Sequence, residues 1–388
     1  MTMTIPYGRQ DITQADIDAV VRVLKSDFLT QGPVVEEFER AVADYAHASF
    51  AVAMNSATSA LHVACLALGL GEGDWLWTTP ITFVASANCG LYCGARVDFV
   101  DIDPATTNIC VAALEAKLKT ASLNGLLPKV IVVVHLSGMP SAMKEIHQLA
   151  QQYGVRLIED ASHAIGGRYL DHPIGNCAFS DITVFSFHPV KIITSGEGGM
   201  ALTNNASLAK SMMQLRSHGI SREPDDMTHV PDGPWYYQQL QLGYNYRLTD
   251  IQAALGLSQL DRIDLYVAAR HRIAAEYNKQ LADLPLILPT HNPDGYSGLH
   301  LYVVRLDPAQ TRRSRLDVFN ELRENGIGVN LHYIPVHLQP YYRSMGFANG
   351  DFPNAENYYE QAITIPMFPG LTAENIEYVV TSMRQALN

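Results

Sequence analysis

The chain has 388 residues, 47% of them hydrophobic and 17% charged, with a formal net charge of −12. Such a composition can build a large core, ample for two domains, and its acidity argues against nucleic acid as a partner, because phosphate backbones are met by clustered Lys and Arg. The cysteines (Cys65, Cys89, Cys93, Cys110 and Cys177) are odd in number and form no CxxC pair, which suggests reduced, mostly buried thiols instead of a disulfide frame or a zinc site.

Residues 1–6 lack the basic start and apolar run of a signal peptide. No stretch approaches the about 20 apolar residues of a membrane span, so a cytoplasmic protein without membrane contact is expected. Amphipathic spacing predicts helices over 16–24 and 34–46. Residues 50–55 read as a strand, and 56–64 as the start of a helix. From about 50 to 203, strands and helices alternate at βαβ spacing, the pattern of an α/β domain with a parallel sheet. Gly69, Gly71 and Gly73 superficially suggest a dinucleotide loop, but they follow a helix instead of leading into one and read as helix termination. Apolar runs at 155–158 and 182–185 read as buried strands, and residues 231–234 as a mobile loop. Helical patterns return from 248 to 284. Residues 285–297, rich in Pro, Asn and Gly, look like a junction inside a smaller C-terminal domain. A strand at 301–306, a helix at 316–325 and a strand at 328–332 follow, with no internal repeat or low-complexity tract.

The chemistry concentrates at three strand ends. Past the 182–185 run comes a polar, glycine-rich stretch, Ser186-Phe187-His188-Pro189-Val190-Lys191 and then Gly196-Glu197-Gly198-Gly199. Alone, its lysine is most often a solvated loop residue. A buried ammonium is costly unless something uses it, and burial lowers a lysine pKa until the amine can form a Schiff base with a carbonyl. Upstream, Glu159 and Asp160 end the 155–158 strand, at the carboxyl edge where open parallel sheets bind ligands. Both acids could simply cap the next helix. A lysine for a cofactor aldehyde and an aspartate for its pyridinium nitrogen are nevertheless the pair that pyridoxal 5′-phosphate (PLP) chemistry needs. The third end is Ser56-Ala57-Thr58, where small hydroxyl residues at a helix N-terminus suit an anion; simple N-capping by Ser56 uses the same letters. Together the three make one cofactor-sized constellation.

Other signals carry less. There is no GxxxxGK[ST] and no GxSxG. His332 and His337 lack a carboxylate or cysteine at ligand spacing, so no metal is expected. His163 and His188 each lie three residues from a proposed catalytic group, as suited to a structural hydrogen bond as to function.

Four segments, 55–61, 159–164, 185–191 with 196–199, and 243–248, make the whole chain resemble the DegT/DnrJ/EryC1/StrS sugar aminotransferases. Residues 5–10 and 26–33 are similar to the members of that family that serve pseudaminic acid biosynthesis. The resemblance implies an α/β PLP-dependent transferase fold of the aspartate aminotransferase type. Residues 1–255 would form the N-terminal arm and the large domain with its mainly parallel sheet, and residues 256–388 the smaller C-terminal α/β domain. It implies that Lys191 anchors PLP and moves the proton, that Asp160 pairs with the ring nitrogen, and that Phe83 stacks on the ring. Ser56, Ala57, Thr58 and Ser186 would surround the phosphate, and His163 would lie beside the ring or its 3′-oxygen. Asn245 would reach the partner's cofactor in a homodimer with shared sites. Tyr7, Asp27, Phe28, Leu29, Thr30, Asn330, Leu331, His332 and Tyr333 would contact a nucleotide sugar, with His188 and Arg247 close by. The implied reaction transfers an amino group from L-glutamate to C4 of a UDP-linked 4-keto-6-deoxy-N-acetyl sugar in a ping-pong cycle. The alternatives are another nucleotide-linked keto sugar and a non-catalytic PLP-fold protein. A sister group that removes a sugar hydroxyl carries histidine at the Schiff-base position, which Lys191 argues against. A nicotinamide oxidoreductase is disfavoured by the misplaced glycine run.

Overall fold

The computed structural model describes residues 4–290 and 292–388. Its centre is a seven-stranded sheet built from β1 (Phe50–Met54), β2 (Trp75–Thr78), β3 (Arg96–Phe99), β4 (Val130–Val134), β5 (Arg156–Asp160), β6 (Ile182–Ser186) and β7 (Gly199–Thr203). The spatial order is β1-β7-β6-β5-β4-β2-β3; β7 runs antiparallel to both neighbours and the other pairs are parallel. A sheet covered on both faces needs strands that are apolar throughout, and β4 is that case: all of Val130–Val134 is buried. Ile131 and Val133 enter one core with Phe38 and Phe185, while Val130 and Val132 enter the opposite core with Leu61 and Val184.

Two helices precede the sheet, α1 (Gln14–Leu24) and α2 (Pro33–Ala46). The first begins at a capping-box pair, where the Thr13 N–H and hydroxyl both donate to the Asp16 carboxylate. Within the alternating region come α3 (Ala57–Ala67), α4 (Ala85–Tyr92), α5 (Val111–Asn124), α6 (Met143–Tyr153) and α7 (Ala206–Arg216). The predicted glycine run does end a helix: Gly69 has φ +74° just beyond α3, a conformation glycine adopts at little cost. Next come α8 (Asp250–Leu260) and α9 (Ile263–Gln280). The Asp250 carboxylate accepts the Gly32 and Val34 N–H groups and so caps α2 across more than two hundred residues.

Ile263, Tyr266 and Val267 of α9 pack on the core of the large sheet, whereas Ile273, Ala274 and Tyr277 belong to a separate C-terminal core. That second core is built on β8 (Leu286–Ile287), β9 (Tyr302–Leu306) and β10 (Ala362–Ile365), in order β8-β9-β10 and antiparallel, with α10 (Arg315–Glu324) and α12 (Ala373–Leu387) packed on it; α11 (Pro353–Gln361) precedes β10. Arg270 of α9 is fully buried, and its Nη1 donates to the carbonyls of Leu299, His300 and Met367. Burial lowers its pKa to about 10.

Two expectations differ from the structure. Residues 328–332 are not a strand. Single bridges join Ile5 to Ile327 and Asn330 to Thr364, and the Asn330 side chain accepts the Leu331 N–H, so no continuous ladder runs through. Residues 285–297 are not simply a junction within the C-terminal domain. Gly295 and Tyr296 pair with Tyr169 and Arg168, in the stretch between β5 and β6 of the seven-stranded sheet. Among the described residues no helix is long and apolar enough to cross a membrane.

Candidate active site

Parallel pairing of β5 with β6 aligns Asp160 with Val184, so Asp160 and the chain leaving Ser186 emerge at one edge of the sheet. The cleft there has a volume of about 450 Å³. Along its wall lie Ser56, Ala57 and Thr58 at the start of α3, and from the C-terminal half come His300, Asn330, His332 and Tyr333.

Lys191 lies on the turn after β6, its backbone N–H bonded to the His188 carbonyl at 2.9 Å. The protein packed around its side chain desolvates the ammonium and lowers its pKa to about 8, while the nearby charge of Asp160 pulls the other way. Asp160 is buried and held at both oxygens. Oδ2 accepts the Ser86 hydroxyl at 2.6 Å, and Oδ1 accepts the Ser162 N–H at 3.1 Å. Behind it, Glu159 points the other way into a buried network with His135, Ser180 and Thr183, as alternation along a strand requires.

At the start of α3, Ser56 is the N-cap and its Oγ accepts the Ser59 N–H at 3.1 Å. The capping alternative is therefore present in the structure, and it is compatible with an anion site: helices leave their first N–H groups without intrahelical partners, and Ala57 and Thr58, the first residues of α3, line the cleft. Gly199 of β7 lies directly against this turn, and any Cβ there would collide with Ser56 and Ala57. The second glycine of the Gly198-Gly199 pair is thus a close-approach requirement.

Phe83 lines the cleft with 57% of its surface exposed, its ring centroid 6.1 Å from that of Tyr333. His163 is buried; its Nε2 lies 3.1 Å from the Tyr333 hydroxyl, and its Nδ1 has no partner among the described residues. Burial, with the positive charge of Lys191 nearby, keeps His163 neutral well below the usual histidine range, and lowers His332 to about 3. An orphaned buried imidazole atom, an exposed aromatic side chain, a carboxylate held at both oxygens, a lysine of lowered pKa and an anion-ready helix start fit PLP in chemistry and number.

Tyr7, Ser186 and His188 also line the cleft. The His188 imidazole lies 3.9 Å from Glu197 at its mouth. Not every predicted residue meets there. Asp27 and Phe28 line a separate groove of about 700 Å³ between α1, α2 and α8. Leu29 and Thr30 run beside the start of α8, through the Asp250 N–H to Leu29 carbonyl bond and the Thr30–Thr249 bridge. Leu331 packs against the core beside the cleft. Asn245 is exposed and Arg247 half-buried, both outside the cleft of their own chain, although their strand-like segment bridges Met54 just before the α3 turn.

The sequence reading missed Thr82, Ser86, Glu197 and His300 as residues of the site or its support. Ser86 lies in the first turn of α4 and Thr82 in the bend before it, so their hydroxyl contact at 2.7 Å comes from how the chain enters the helix, which the letters alone do not announce. His300 had no local signal, since only the approach of the C-terminal half brings its ring within 4.5 Å of His163. His337, by contrast, bonds Glu356 at 3.0 Å, and among the described residues no cluster of three or more His, Cys, Asp or Glu side chains is arranged to hold a metal ion.

Comparison with known proteins meets this geometry. The chain is 38% identical over 376 residues to the UDP-4-amino-4,6-dideoxy-N-acetyl-beta-L-altrosamine transaminase of Campylobacter jejuni, covering 97% of this chain and 95% of that one. Its fold superposes with a TM-score of 0.90 on Helicobacter pylori PseC, an aminotransferase of pseudaminic acid biosynthesis, at 29% identity over 99% of both chains. It matches equally, at 0.90 and 30% over 99% of both chains, the putative sugar aminotransferase Spr1654 of Streptococcus pneumoniae in its pyridoxamine phosphate form, a protein also solved in its PLP form. Residues 10–384 match the DegT/DnrJ/EryC1/StrS aminotransferase family, and the chain belongs to that family of PLP-dependent nucleotide-sugar transaminases.

Proposed function

We propose that the protein holds PLP on Lys191 and transfers an amino group from L-glutamate to C4 of UDP-2-acetamido-2,6-dideoxy-β-L-arabino-hexos-4-ulose, a cytoplasmic step of pseudaminic acid biosynthesis. The observation that carries the reading is a lysine of pKa about 8 and a doubly held aspartate at one cleft. When bound, PLP supplies a carbonyl carbon and an electron-accepting ring. The remaining work belongs to the chain. Asp160 would accept a hydrogen bond from the protonated ring nitrogen on its free lone pairs, and its charge would keep that nitrogen protonated. Phe83 covers one ring face. The hydroxyls of Ser56 and Ser186, with the N–H groups of Ala57 and Thr58, bind the phosphate. Lys191 Nζ, its pKa lowered to about 8, takes the proton from the amino donor's Cα and returns one in the second half-reaction. The keto acid leaves before the keto sugar enters, so both substrates use one cleft in turn.

Tyr7, Asn330, His332 and Tyr333 are the polar and aromatic groups that the N-terminal arm and the C-terminal half bring to the cleft, and they suit an amide-bearing sugar. A pocket that bonds the acetamido group leaves buried polar atoms unpaired when that group is missing. The dTDP keto sugar without it should therefore lose roughly 10- to 100-fold in kcat/KM. The test compares the L-arabino 4-keto sugar with its D-xylo epimer and that dTDP sugar; preference for either competitor removes the pseudaminic acid assignment and leaves another nucleotide-linked keto sugar as substrate.

The same reading holds that the protein is a homodimer in which Asn245, exposed and away from its own cleft, completes the partner's phosphate site. Mixing inactive Lys191→Ala and Asn245→Ala subunits should return activity through hybrid dimers that carry one intact site. Hybrids without activity would exclude the cross-subunit role.

A further inference from the structure

We infer that Ser86 is a positioning residue for Asp160, and that Thr82 in turn orients Ser86, so that one hydroxyl in the first turn of α4 and one in the bend before it aim the carboxylate that meets the cofactor nitrogen. The inference rests on the proposed placement of PLP in the cleft. Ser86 is fully buried and Thr82 nearly so. Ser86 Oγ donates to Asp160 Oδ2 at 2.6 Å, the short range of a hydroxyl bound to a carboxylate oxygen. Thr82 Oγ1 and Ser86 Oγ are 2.7 Å apart. A serine hydroxyl has one proton, and that of Ser86 is committed to Asp160; Thr82 is therefore the donor to Ser86. The direction of the relay, from Thr82 to Ser86 to Asp160, follows from the proton count once Asp160 is an acceptor-only carboxylate.

The second carboxylate oxygen takes the Ser162 N–H from the turn after β5. Two elements that lie far apart in sequence therefore grip the two oxygens, and the group cannot rotate about its Cβ–Cγ bond without losing a partner. Both hydroxyl-bearing residues are buried, so a lost bond is not readily replaced from bulk solvent. Asp160 thus presents a fixed lone pair to the cleft before any cofactor arrives, which is the preorganisation that electrostatic catalysis depends on.

Removing the Ser86 hydroxyl should let the carboxylate turn and weaken its pairing with the ring nitrogen. In Ser86→Ala, affinity of the apoprotein for PLP, read by absorbance titration, should fall about 10-fold. The pH midpoint of the visible band of the bound cofactor should move by about one unit, and kcat should fall roughly 10- to 100-fold with KM for the nucleotide sugar little changed. Ser86→Thr, which keeps the hydroxyl, should restore the midpoint. Thr82→Val, close in shape to threonine, should shift it in the same direction by less, and it serves as the test if Ser86→Ala does not fold by circular dichroism. Wild-type PLP affinity and an unmoved midpoint in Ser86→Ala, or in Thr82→Val where that variant is the test, would overturn the inference alone. Wild-type protein that develops no visible band with PLP would overturn the proposed function, and this inference with it.

Discussion

Replacement of Lys191 by alanine is expected to lower transamination by more than about 10³-fold while the fold and the binding of PLP survive, because the substitution removes both the covalent anchor and the proton carrier. The physical basis is the amine's environment. Burial brings its pKa from 10.5 to about 8, and a lowered pKa means the neutral form is reached at lower pH. At pH 7 about one molecule in ten then carries a neutral amine, against roughly one in three thousand for an unperturbed lysine. In the apoprotein, the rate of Lys191 modification by an amine-directed reagent should rise with pH to a midpoint near 8. Borohydride reduction of the wild-type holoenzyme followed by peptide mapping should place the pyridoxyl mass on Lys191. A label on another lysine, or Lys191→Ala protein retaining wild-type turnover, would remove the assignment.

Asp160→Asn is expected to cost roughly 10²- to 10³-fold in kcat, the range seen when one oriented electrostatic partner is taken from a reacting group. An amide is nearly the same shape as a carboxylate, yet it has only one acceptor oxygen. Ser86 and Ser162 both donate to this side chain, so one of them is left facing an NH2 group. An unpaired buried donor costs about 1–3 kcal/mol, which should appear as a lower Tm. The catalytic loss should show in the single-turnover half-reaction with L-glutamate, where no nucleotide sugar is present. Wild-type single-turnover rates in this variant would mean that Asp160 does not serve the ring nitrogen.

The two residues were legible in the sequence for the same reason. Asp160 ends the strand of one short apolar run and Lys191 follows five residues after the strand of another, and a run that is buried on both faces of a sheet announces its own strand and the polar residues that come after it. Ser56 was legible too, because a small hydroxyl between a strand and a helical pattern marks a helix N-terminus. The segment at 328–332 shows the limit of such reading. Its letters suit a strand, but a strand needs a neighbour along its length, and the C-terminal sheet offers Thr364 alone to Asn330.

What the sequence determined by itself was therefore local: the strand ends, the helix starts and the type of side chain placed on each. Which of these meet was decided by the tertiary structure. Ser86 and Asp160 are 74 residues apart and touch because the sheet order sets α4 beside the edge of β5. Tyr333 and His163 are 170 residues apart and meet because the C-terminal half closes over that edge. Residues 27–30 carry the same kinds of groups as the cleft and are held elsewhere, since the Asp250 cap and the Leu29 carbonyl bond tie that stretch to the start of α8. A hydrogen bond depends on where the backbone carries its partners, and that depends on strand order and helix packing, which no window of the chain contains.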